Sequence, residues 1–323
     1  MFAFTAAVPA EVAPRDEVRA LWVVRTSLTS PQAIDEVVGA AQLNGFNTLL
    51  VQVRGLGDAY FLNGIEPRPA SLTAQPTFDP LAETIAKAHA RGLAVHAWIN
   101  VNLVSGTDVP NARTHIVYRH PEWLMVPRQL SDDLAALDPA GPEYLGRLTR
   151  YARSRSTEIE GLYLSPATPA AIEYTTSVVR DIVQRYAVDG VHFDYLRYPN
   201  DDFDYSRETL NAFRRSVGTD ELSPVRWRQF RAERLTALLT ELRDVVKRAR
   251  PAAAVSVEVA PDPTVASDRH LQDWNAWLNR GLLDVVCRQS PAADKASVAS
   301  RLGIGGVILS ISQLGKAAFS AQF

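Results

Sequence analysis

Two acidic residues, Asp194 and Glu258, stand out as candidates for catalysis because each follows a short apolar run. Asp194 ends GVHFD at residues 190–194, and Glu258 lies in AVSVEVA at residues 254–260. A carboxylate in such a place is costly to desolvate unless it is paired or used. Carboxyl groups on adjacent parallel strands stand roughly 5–10 Å apart, which covers both retaining and inverting glycosidases. The pair predicts cleavage of a glycosidic bond, with Asp262 as the next candidate acid.

The surroundings of the two acids predict different roles for them. His192 shares a strand face with Asp194, and Arg54 and Arg197 are expected nearby, so positive neighbours favour the ionised form of a nucleophile or electrostatic base. Glu258 follows apolar residues, where desolvation should raise its pKa to suit a general acid. The alternative is purely structural: Asp194 forms a rim salt bridge with Arg54 or Arg197, and Glu258 has no catalytic role.

The string DGVHFDYLRYP at residues 189–199 surrounds the first acid with aromatic and basic residues. Aromatic rings pack on the faces of sugars, and a guanidinium donates to their hydroxyls. Tyr195, Arg197 and Tyr198 are therefore predicted to bind substrate. The alternative is that the two tyrosines only cap the end of a barrel.

Strand faces extend this predicted site, because residues two apart in a strand share a face. Four predicted strands have one apolar face and one face that becomes polar toward the carboxyl end. In chain order, the polar faces carry Gln52 and Arg54; His96, Trp98 and Asn100; His192 and Asp194; and Ser256 and Glu258. In a TIM barrel the second face points to the mouth, where active sites lie. The predicted substrate-binding residues are thus Arg25, Arg54, His96, Trp98, Asn100, His192, Tyr195, Arg197 and Tyr198.

Metal binding is the alternative use of the histidines. His96 and His192 could be core residues or could bind a metal with Asp194, but no HxH or HExxH spacing supports a metal site. No metal or other cofactor is therefore expected. The single cysteine, Cys287, excludes an internal disulfide and a zinc knuckle, and its place after an apolar run predicts a buried structural thiol.

The elements that must position these residues alternate between strand-like and helical segments, which predicts parallel strands joined by helical crossovers. Strands are predicted over residues 19–25, 47–54, 93–100, 190–194, 254–260, 282–287 and 306–311, and helices over 31–44, 80–91, 169–186, 224–250, 268–280 and 292–302. The fold class is α/β, a TIM-type (β/α) barrel. Seven strands instead of eight predict an incomplete barrel with a gap or irregular segment beside Cys287, since the last connection is too short for another strand and helix.

Residues 106–168 interrupt this alternation and are predicted to form a long excursion inserted after the third strand. Two apolar runs, at residues 123–126 and 161–164, could pair as a hairpin, with residues 132–157 between them.

Composition narrows the class of protein. Hydrophobic residues make up 46% and charged residues 22%, which is typical of globular chains. A net charge of −2 gives no indication of nucleic acid or acidic membranes as partners, and no apolar run is long enough to span a bilayer. Residues 1–18 are expected to be a tail or the remnant of an export signal, residues 19–323 one barrel domain, and the protein exported. The sequence leaves the oligomeric state open.

Several strings carry a resemblance to a known family: RALWVVR, GFNTLLVQVRGLGDAYF, FDPLAETIAKAHARGLAVHAWIN, HPEWL, YLSPATPAAIEYTTSVVRDIVQRYAVDGVHFDYLRYP and GVILSISQL. Over most of residues 19–315 the chain resembles the glycosyl-hydrolase-like family 10, TIM-barrel proteins of bacterial envelopes. The resemblance implies hydrolysis of a glycosidic bond, with members acting on peptidoglycan glycan strands. Asp194 matches the acid that ends the family's fourth strand.

The chain departs from the family pattern in two places. A strand–helix unit usual in the family is missing, since only residues 290–305 remain before the last strand, and Glu258 lies where the family varies. The leading prediction is an envelope glycoside hydrolase acting on a polysaccharide. One alternative is a catalytically silent barrel that binds glycan through Arg54, Trp98, Tyr195 and Arg197. Another is a metal-dependent amidase or deacetylase using His96, His192 and Asp194.

Overall fold

The computed structural model describes residues 18–218, 222–288 and 307–311. The strands are β1 (Val18–Val23), β2 (Thr48–Arg54), β3 (Ala94–Asn100), β4 (Leu103–Gly106), β5 (Gly161–Tyr163), β6 (Gly190–Asp194), β7 (Ala254–Val259), β8 (Val285–Arg288) and β9 (Val307–Ile311). The α-helices are α1 (Pro31–Leu43), α2 (Pro80–His89), α3 (Ile116–Arg119), α4 (Ser131–Ala135), α5 (Pro142–Ser154), α6 (Pro169–Arg185), α7 (Arg207–Val217), α8 (Pro224–Ala249), α9 (Pro263–Arg269) and α10 (Trp274–Asn279).

The main sheet has the strand order β8-β7-β6-β3-β2-β1-β9. The first six are parallel and form a curled half-barrel. The seventh, β9, pairs with β1 in the antiparallel direction, so the prediction that it continues the parallel series is wrong. An apolar run has the same side-chain alternation in either chain direction, and the sequence therefore could not show this reversal.

The sheet does not close into a ring within the described residues, as an incomplete barrel requires. The predicted irregular segment after Cys287 and the helix predicted over residues 292–302 lie outside the described residues.

The two faces of the sheet follow the predicted alternation. Val51, Val95, Val191 and Val255 belong to the large core under the helices, with their neighbours two residues along each strand. The inner face carries a separate small cluster, in which Trp22, Leu50, Trp98 and Cys287 are buried. The polar residues of β2, β3, β6 and β7 share this inner face, which confirms the predicted alternation of strand faces.

Local sequence signals explain where the first helices begin. Ser30 accepts a hydrogen bond from the Ala33 N–H at the start of α1, and Asp79 accepts one from the Ala82 N–H at the start of α2. A proline follows each cap, where its missing N–H has no cost. The predicted starts of these helices are confirmed.

The excursion (residues 106–168) is more structured than predicted. The run at 161–164 pairs mainly with β4, which precedes the excursion, so the predicted hairpin with residues 123–126 is only partly right. Residues 123–126 contribute a single bridge, from Leu124 to Leu164, and the Met125 N–H donates to the Tyr163 carbonyl.

Helices α3, α4, α5 and α7 were not predicted, and the helix predicted over 268–280 is two helices, α9 and α10. No helix in the described ranges is both long and apolar enough to cross a bilayer.

Candidate active site

The register of the parallel strands brings the two predicted acids together on the inner face. Phe193 of β6 pairs with Val257 of β7, so the following residues, Asp194 and Glu258, are next to each other at the carboxyl ends of adjacent strands. Adjacent strands lie about 4.8 Å apart. On the other side of β7, Glu258 is paired with Cys287 of β8. The inner face thus presents two neighbouring carboxyl groups at the mouth.

Asp194 is held by two neutral N–H donors. The Trp98 Nε1–H donates to Oδ2 at 3.0 Å, and the Tyr195 backbone N–H donates to Oδ1 at 2.6 Å. Tyr195 has a φ of 51°, a left-handed conformation that non-glycine residues adopt mainly at turns and functional sites. The two arginines that were expected beside Asp194 pair with other acids instead, Arg54 with Glu66 and Arg197 with Glu160. Asp194 itself is buried, with 2% of its surface exposed.

Glu258 lines a small polar cleft of about 160 Å³ together with Glu160, Arg197, His270 and Gln272. Glu258 itself is 8% exposed. The Gln272 side-chain N–H donates to the Glu258 backbone carbonyl at 3.0 Å and so fixes the end of β7 beside the cleft. Burial raises the pKa of the Tyr195 hydroxyl, as do the nearby charges of Asp194, Glu160 and Glu258. Tyr195 is therefore close to both acids.

Arg197 and Glu160 form an ion pair at the edge of this cleft, with 2.6 Å between Nη2 and Oε1. The Arg197 guanidinium lies 4.9 Å from the centre of the Tyr195 ring, and the Tyr163 hydroxyl donates to Glu160. Burial alone would raise the pKa of Glu160, but Arg197 and Tyr163 hold it below its ordinary value. Arg197 thus reaches the mouth as predicted, already carrying an acidic partner.

Arg54 is the main correction to the predicted site. Its side chain is fully buried and forms a two-pronged ion pair with Glu66, with both N–H to O distances 2.7 Å. It also donates to the backbone carbonyls of Asn100 and Val101. Arg54 has no access to substrate hydroxyls in this structure, because its side chain is fully buried and all three of its nitrogens donate to protein oxygens.

Arg25 and Asn100 are linked through Gln52, whose side-chain N–H donates to Asn100 Oδ1 at 3.5 Å. The Arg25 Nη1–H donates to Gln52 Oε1 at 2.9 Å, and Asn100 donates to the Gly55 carbonyl at 2.7 Å. Arg25 remains half-buried and lies 3.8 Å from Asp58. Asn100 is buried, whereas Arg25 keeps the access to solvent that a substrate contact requires.

Of the two predicted histidines, His192 is fully buried and His96 is half-buried. His192 Nδ1 lies 2.9 Å from the Ser256 hydroxyl, and burial lowers its pKa to about 4. The His96 ring packs over Gly190, and burial also lowers its pKa to about 4. His192 Nε2 and His96 Nδ1 have no hydrogen-bond partner in the described residues. No cluster of three or more His, Cys, Asp or Glu side chains is placed to share a metal ion anywhere in the described residues.

The remaining predicted residues divide between site and core. Trp98 is a buried partner of Asp194, and its ring centre lies 4.9 Å from that of Trp22. Tyr198 is fully buried, and its hydroxyl donates to the Arg231 backbone carbonyl at 3.4 Å. Tyr198 belongs to the main hydrophobic core and presents no surface to a substrate in this structure. Cys287 is buried as predicted, which raises the pKa of its thiol.

Sequence reasoning missed Glu160, Glu66 and His270. Glu160 and Glu66 lie in irregular connections, where no strand alternation assigns a side chain to a face. Burial lowers the pKa of His270 to about 4, and the adjacent Arg197 lowers it further. The one available signal for Glu160 was its place directly before the apolar run at 161–164.

Comparison with known proteins identifies the family. The model of the Glycosyl hydrolase-like 10 family matches residues 17–303. The chain belongs to this family. It is 28% identical over 279 residues to glycosyl hydrolase DigH of Escherichia coli (strain K12), covering 80% of this chain and 57% of DigH. It is 23% identical over 272 residues to glycosyl hydrolase YngK of Bacillus subtilis (strain 168), covering 77% of this chain and 46% of YngK. This member of Glycosyl hydrolase-like 10 thus spans about half the length of these curated relatives.

Solved structures agree on the architecture. The glycoside hydrolase domain of PgaB (BpsB) from Bordetella bronchiseptica matches with a TM-score of 0.59 and 16% identity, covering 89% of this chain and 82% of that domain. A β-galactosidase from Marinomonas ef1 matches with a TM-score of 0.56 and 13% identity, covering 85% of this chain and 41% of the enzyme. At such identities the likeness concerns the fold, which is TIM-barrel-like in both.

Proposed function

We propose that this Glycosyl hydrolase-like 10 member is a glycoside hydrolase that cleaves a polysaccharide, the glycan strands of peptidoglycan, by a two-carboxylate mechanism. The observation that carries the proposal is the placement of Asp194 and Glu258 side by side on the inner face, at the carboxyl ends of adjacent parallel strands. Active sites of barrel enzymes form at this end of the sheet. Two carboxyl groups flanking the scissile bond are what glycoside hydrolysis needs.

Asp194 is the acid assigned to the anomeric carbon. The Trp98 Nε1–H donates to its Oδ2, and the Tyr195 backbone N–H donates to its Oδ1, so each carboxyl oxygen accepts one hydrogen bond. These two hydrogen bonds fix the orientation of the Asp194 carboxyl group. In the proposed reaction Asp194 either attacks the anomeric carbon or stabilises the positive charge that develops there.

Glu258 is the acid assigned to the leaving group. Its side chain lines the cleft and remains slightly exposed, so a leaving sugar oxygen could reach it. In the proposed step the Glu258 proton passes to that oxygen as the glycosidic bond breaks. The new bond at the anomeric carbon forms to Asp194 or to a water molecule, depending on the distance between the carboxyl groups.

The polar groups around the cleft suit sugar hydroxyls. Arg197 and Glu160 supply donors and acceptors at the cleft edge, and the Tyr195 ring lies beside them. The names of DigH and YngK describe glycosyl hydrolases, which supports the reaction class. Peptidoglycan as substrate follows from the resemblance to envelope proteins, and export to the envelope belongs to the same proposal.

Incubation with purified peptidoglycan tests the function. Intact sacculi and amidase-stripped, peptide-free glycan strands are incubated with the parent protein, with Asp194→Asn, and with Glu233→Gln, which changes a carboxylate on the outer helix α8. Mass spectrometry of soluble products and assay of new reducing ends are the readouts. We expect glycan fragments from the parent and from Glu233→Gln but not from Asp194→Asn.

Two results would overturn the proposal in different ways. Glycan binding by the parent without any new reducing ends would favour the catalytically silent barrel. Release of peptides without reducing ends would instead indicate an amidase.

A further inference from the structure

We propose that the excursion (residues 106–168) carries a second binding site, an arginine-lined groove that binds carboxylate-bearing sugars of a polysaccharide. The inference rests on the proposed function in one respect, because the polysaccharide is taken to be the substrate chain. The site itself is separate from the two acids, and nothing in the proposed reaction requires it.

The groove has about 680 Å³ of free space and is lined by residues of the excursion alone. Three arginines, Arg113, Arg150 and Arg153, line it, and no acidic residue does. Gly141 and Gly146 are part of its lining, so little side-chain bulk stands between the arginines. The groove therefore combines positive charge with room for a sugar ring.

Helix α5 presents its groove face and its buried face on opposite sides. Tyr144, Leu148 and Ala152, four residues apart, are buried. Gly146, Arg150 and Arg153 recur at the helical spacing of three and four and so share another face. Both arginines are exposed. The helix thus packs one side into the protein and leaves the arginine side open.

The charges on the groove side are less neutralised than those elsewhere on the helix. Arg147 has two acidic partners, Glu143 at 2.7 Å and Asp133 at 2.8 Å, and it does not line the groove. Arg153 has one highly exposed partner, Asp108, at 2.8 Å.

The other two groove arginines have no acidic partner. Within the described residues, neither Arg113 nor Arg150 lies within 4.0 Å of a carboxylate, and the Arg113 guanidinium lies 4.4 Å from the centre of the Tyr118 ring. The groove therefore has a surplus of positive charge.

A carboxylate on a sugar chain fits this groove better than a broad anionic surface does. A guanidinium binds a carboxylate with two parallel hydrogen bonds, so separate arginines can bind separate acid groups along one chain. A membrane or a nucleic acid presents its phosphates over a continuous surface, whereas the groove offers three arginines around a space of about 680 Å³. The net charge of −2 acts in the same direction.

The connection of the excursion to the mouth allows one chain to reach both sites. The excursion leaves the sheet after β3, at the carboxyl end of the strands, and returns through β5. Helix α5 packs on β5, and Glu160, directly before β5, lines the catalytic cleft. A polysaccharide that extends from the cleft could therefore continue along the excursion.

Binding of glycans with and without carboxylates tests the inference. The full-length Asp194→Asn protein is used as the background to prevent turnover. Its affinity is measured for peptide-free peptidoglycan glycan, for the same glycan after reduction of its carboxyl groups to alcohols, and for vesicles containing an anionic lipid. The groove variant is Arg113→Gln/Arg150→Gln/Arg153→Gln. The matched control, Arg180→Gln/Arg228→Gln/Arg243→Gln, removes the same charge from helices α6 and α8.

We expect the background protein to bind the carboxylated glycan about tenfold or more tightly than the reduced glycan at low salt, because each carboxylate gains charge-assisted hydrogen bonds. The groove variant should lose this preference while its affinity for the reduced glycan stays unchanged, and the control should keep it. An undiminished preference in the groove variant, or groove-dependent binding to anionic vesicles, would overturn the inference.

The outcomes also separate this inference from the proposed function. A carboxylate preference that the groove variant loses, in a protein whose parent releases no reducing ends, would retain the groove and reject the hydrolase. Hydrolysis by the parent with equal affinity for both glycans would retain the hydrolase and reject the groove.

Discussion

At the scale of single residues, the chemistry proposed for Asp194 depends on the donor that orients it. Trp98 is one strand away and contributes only its Nε1–H, at 3.0 Å. The sequence placed both residues on the inner face but suggested arginines as the neighbours of Asp194. Strand alternation assigns a side chain to a face, whereas the partner of a long arginine depends on loops that follow no such rule.

Removal of the Trp98 donor should reduce activity without abolishing it. Trp98→Phe keeps an aromatic ring and deletes the N–H, and a hydrogen bond to a charged group is worth roughly 1.5–3 kcal/mol. We therefore expect kcat/KM on peptide-free glycan to fall about 10- to 100-fold. Trp227→Phe, the same change in the aromatic cluster of α7 and α8, is the control and should keep full activity. Equal activity in both variants would exclude a positioning role for Trp98.

Arg54 lies at the predicted end of β2, but its side chain forms a buried ion pair with Glu66 instead of reaching the cleft. Its acidic partner, Glu66, lies in the connection after β2, where the sequence has no periodic pattern. The pair supports the end of β2 beside the site.

Loss of Arg54 should therefore lower the free energy of unfolding, with a smaller effect on glycan affinity. Arg54→Met leaves the Glu66 carboxylate buried and unpaired, which costs about 3–5 kcal/mol, measured as the free energy of unfolding in urea. The double variant Arg54→Met/Glu66→Leu should recover part of this loss. Arg147→Met, which removes two ion pairs at the surface, should leave the unfolding midpoint near that of the parent. A stable Arg54→Met protein with weakened glycan affinity would instead restore the predicted substrate contact.

At the scale of elements, the parallel strands and helices α1, α2, α6 and α8 were predictable because apolar alternation and helix caps are local signals. The assignment of side chains to the inner and outer faces of β2, β3, β6 and β7 follows directly from the apolar alternation. The helices of the excursion and the direction of β9 were not predictable, because they depend on tertiary pairing. The mouth is therefore better defined by sequence than the loops that complete it.

The close packing of β3 on β6 gives a prediction at this scale. A Cβ at Gly190 would lie 2.7 Å from three atoms of the His96 ring. Gly190→Ala should cost about 1–3 kcal/mol through overpacking, whereas Gly39→Ala in α1, with no atom within 4 Å, should gain about 0.5–1 kcal/mol. Urea unfolding of both variants measures this. A Gly190→Ala protein as stable as the parent would contradict the observed packing of the two strands.

At the scale of the whole molecule, burial of histidines makes stability depend on pH. Burial lowers the pKa of His96, His192 and His270 to about 4, from an ordinary value of 6.5. Between these values the unfolded chain binds protons that the native protein does not. The free energy of unfolding must then rise with pH in this window.

We expect the protein to lose stability as the pH falls from 6.5 toward 4, by up to about 1.4 kcal/mol per pH unit for each histidine. Urea unfolding at a series of pH values measures the slope, and His192→Asn should reduce it. A free energy of unfolding that stays constant between pH 6.5 and 4.5 would contradict the burial of neutral rings.

The central claim is that Asp194 and Glu258 act as a pair with separate roles, and the dependence of rate on the leaving group tests it most directly. The measurement is kcat/KM at pH 7 for the parent, Asp194→Asn and Glu258→Gln, on natural glycan and on an aryl glycoside with an activated leaving group. Asp194→Asn should lose about 10³-fold or more on both substrates. Glu258→Gln should lose about 10²- to 10⁴-fold on natural glycan and far less on the aryl glycoside, which needs little protonation. Full activity of Asp194→Asn on natural glycan would contradict the account.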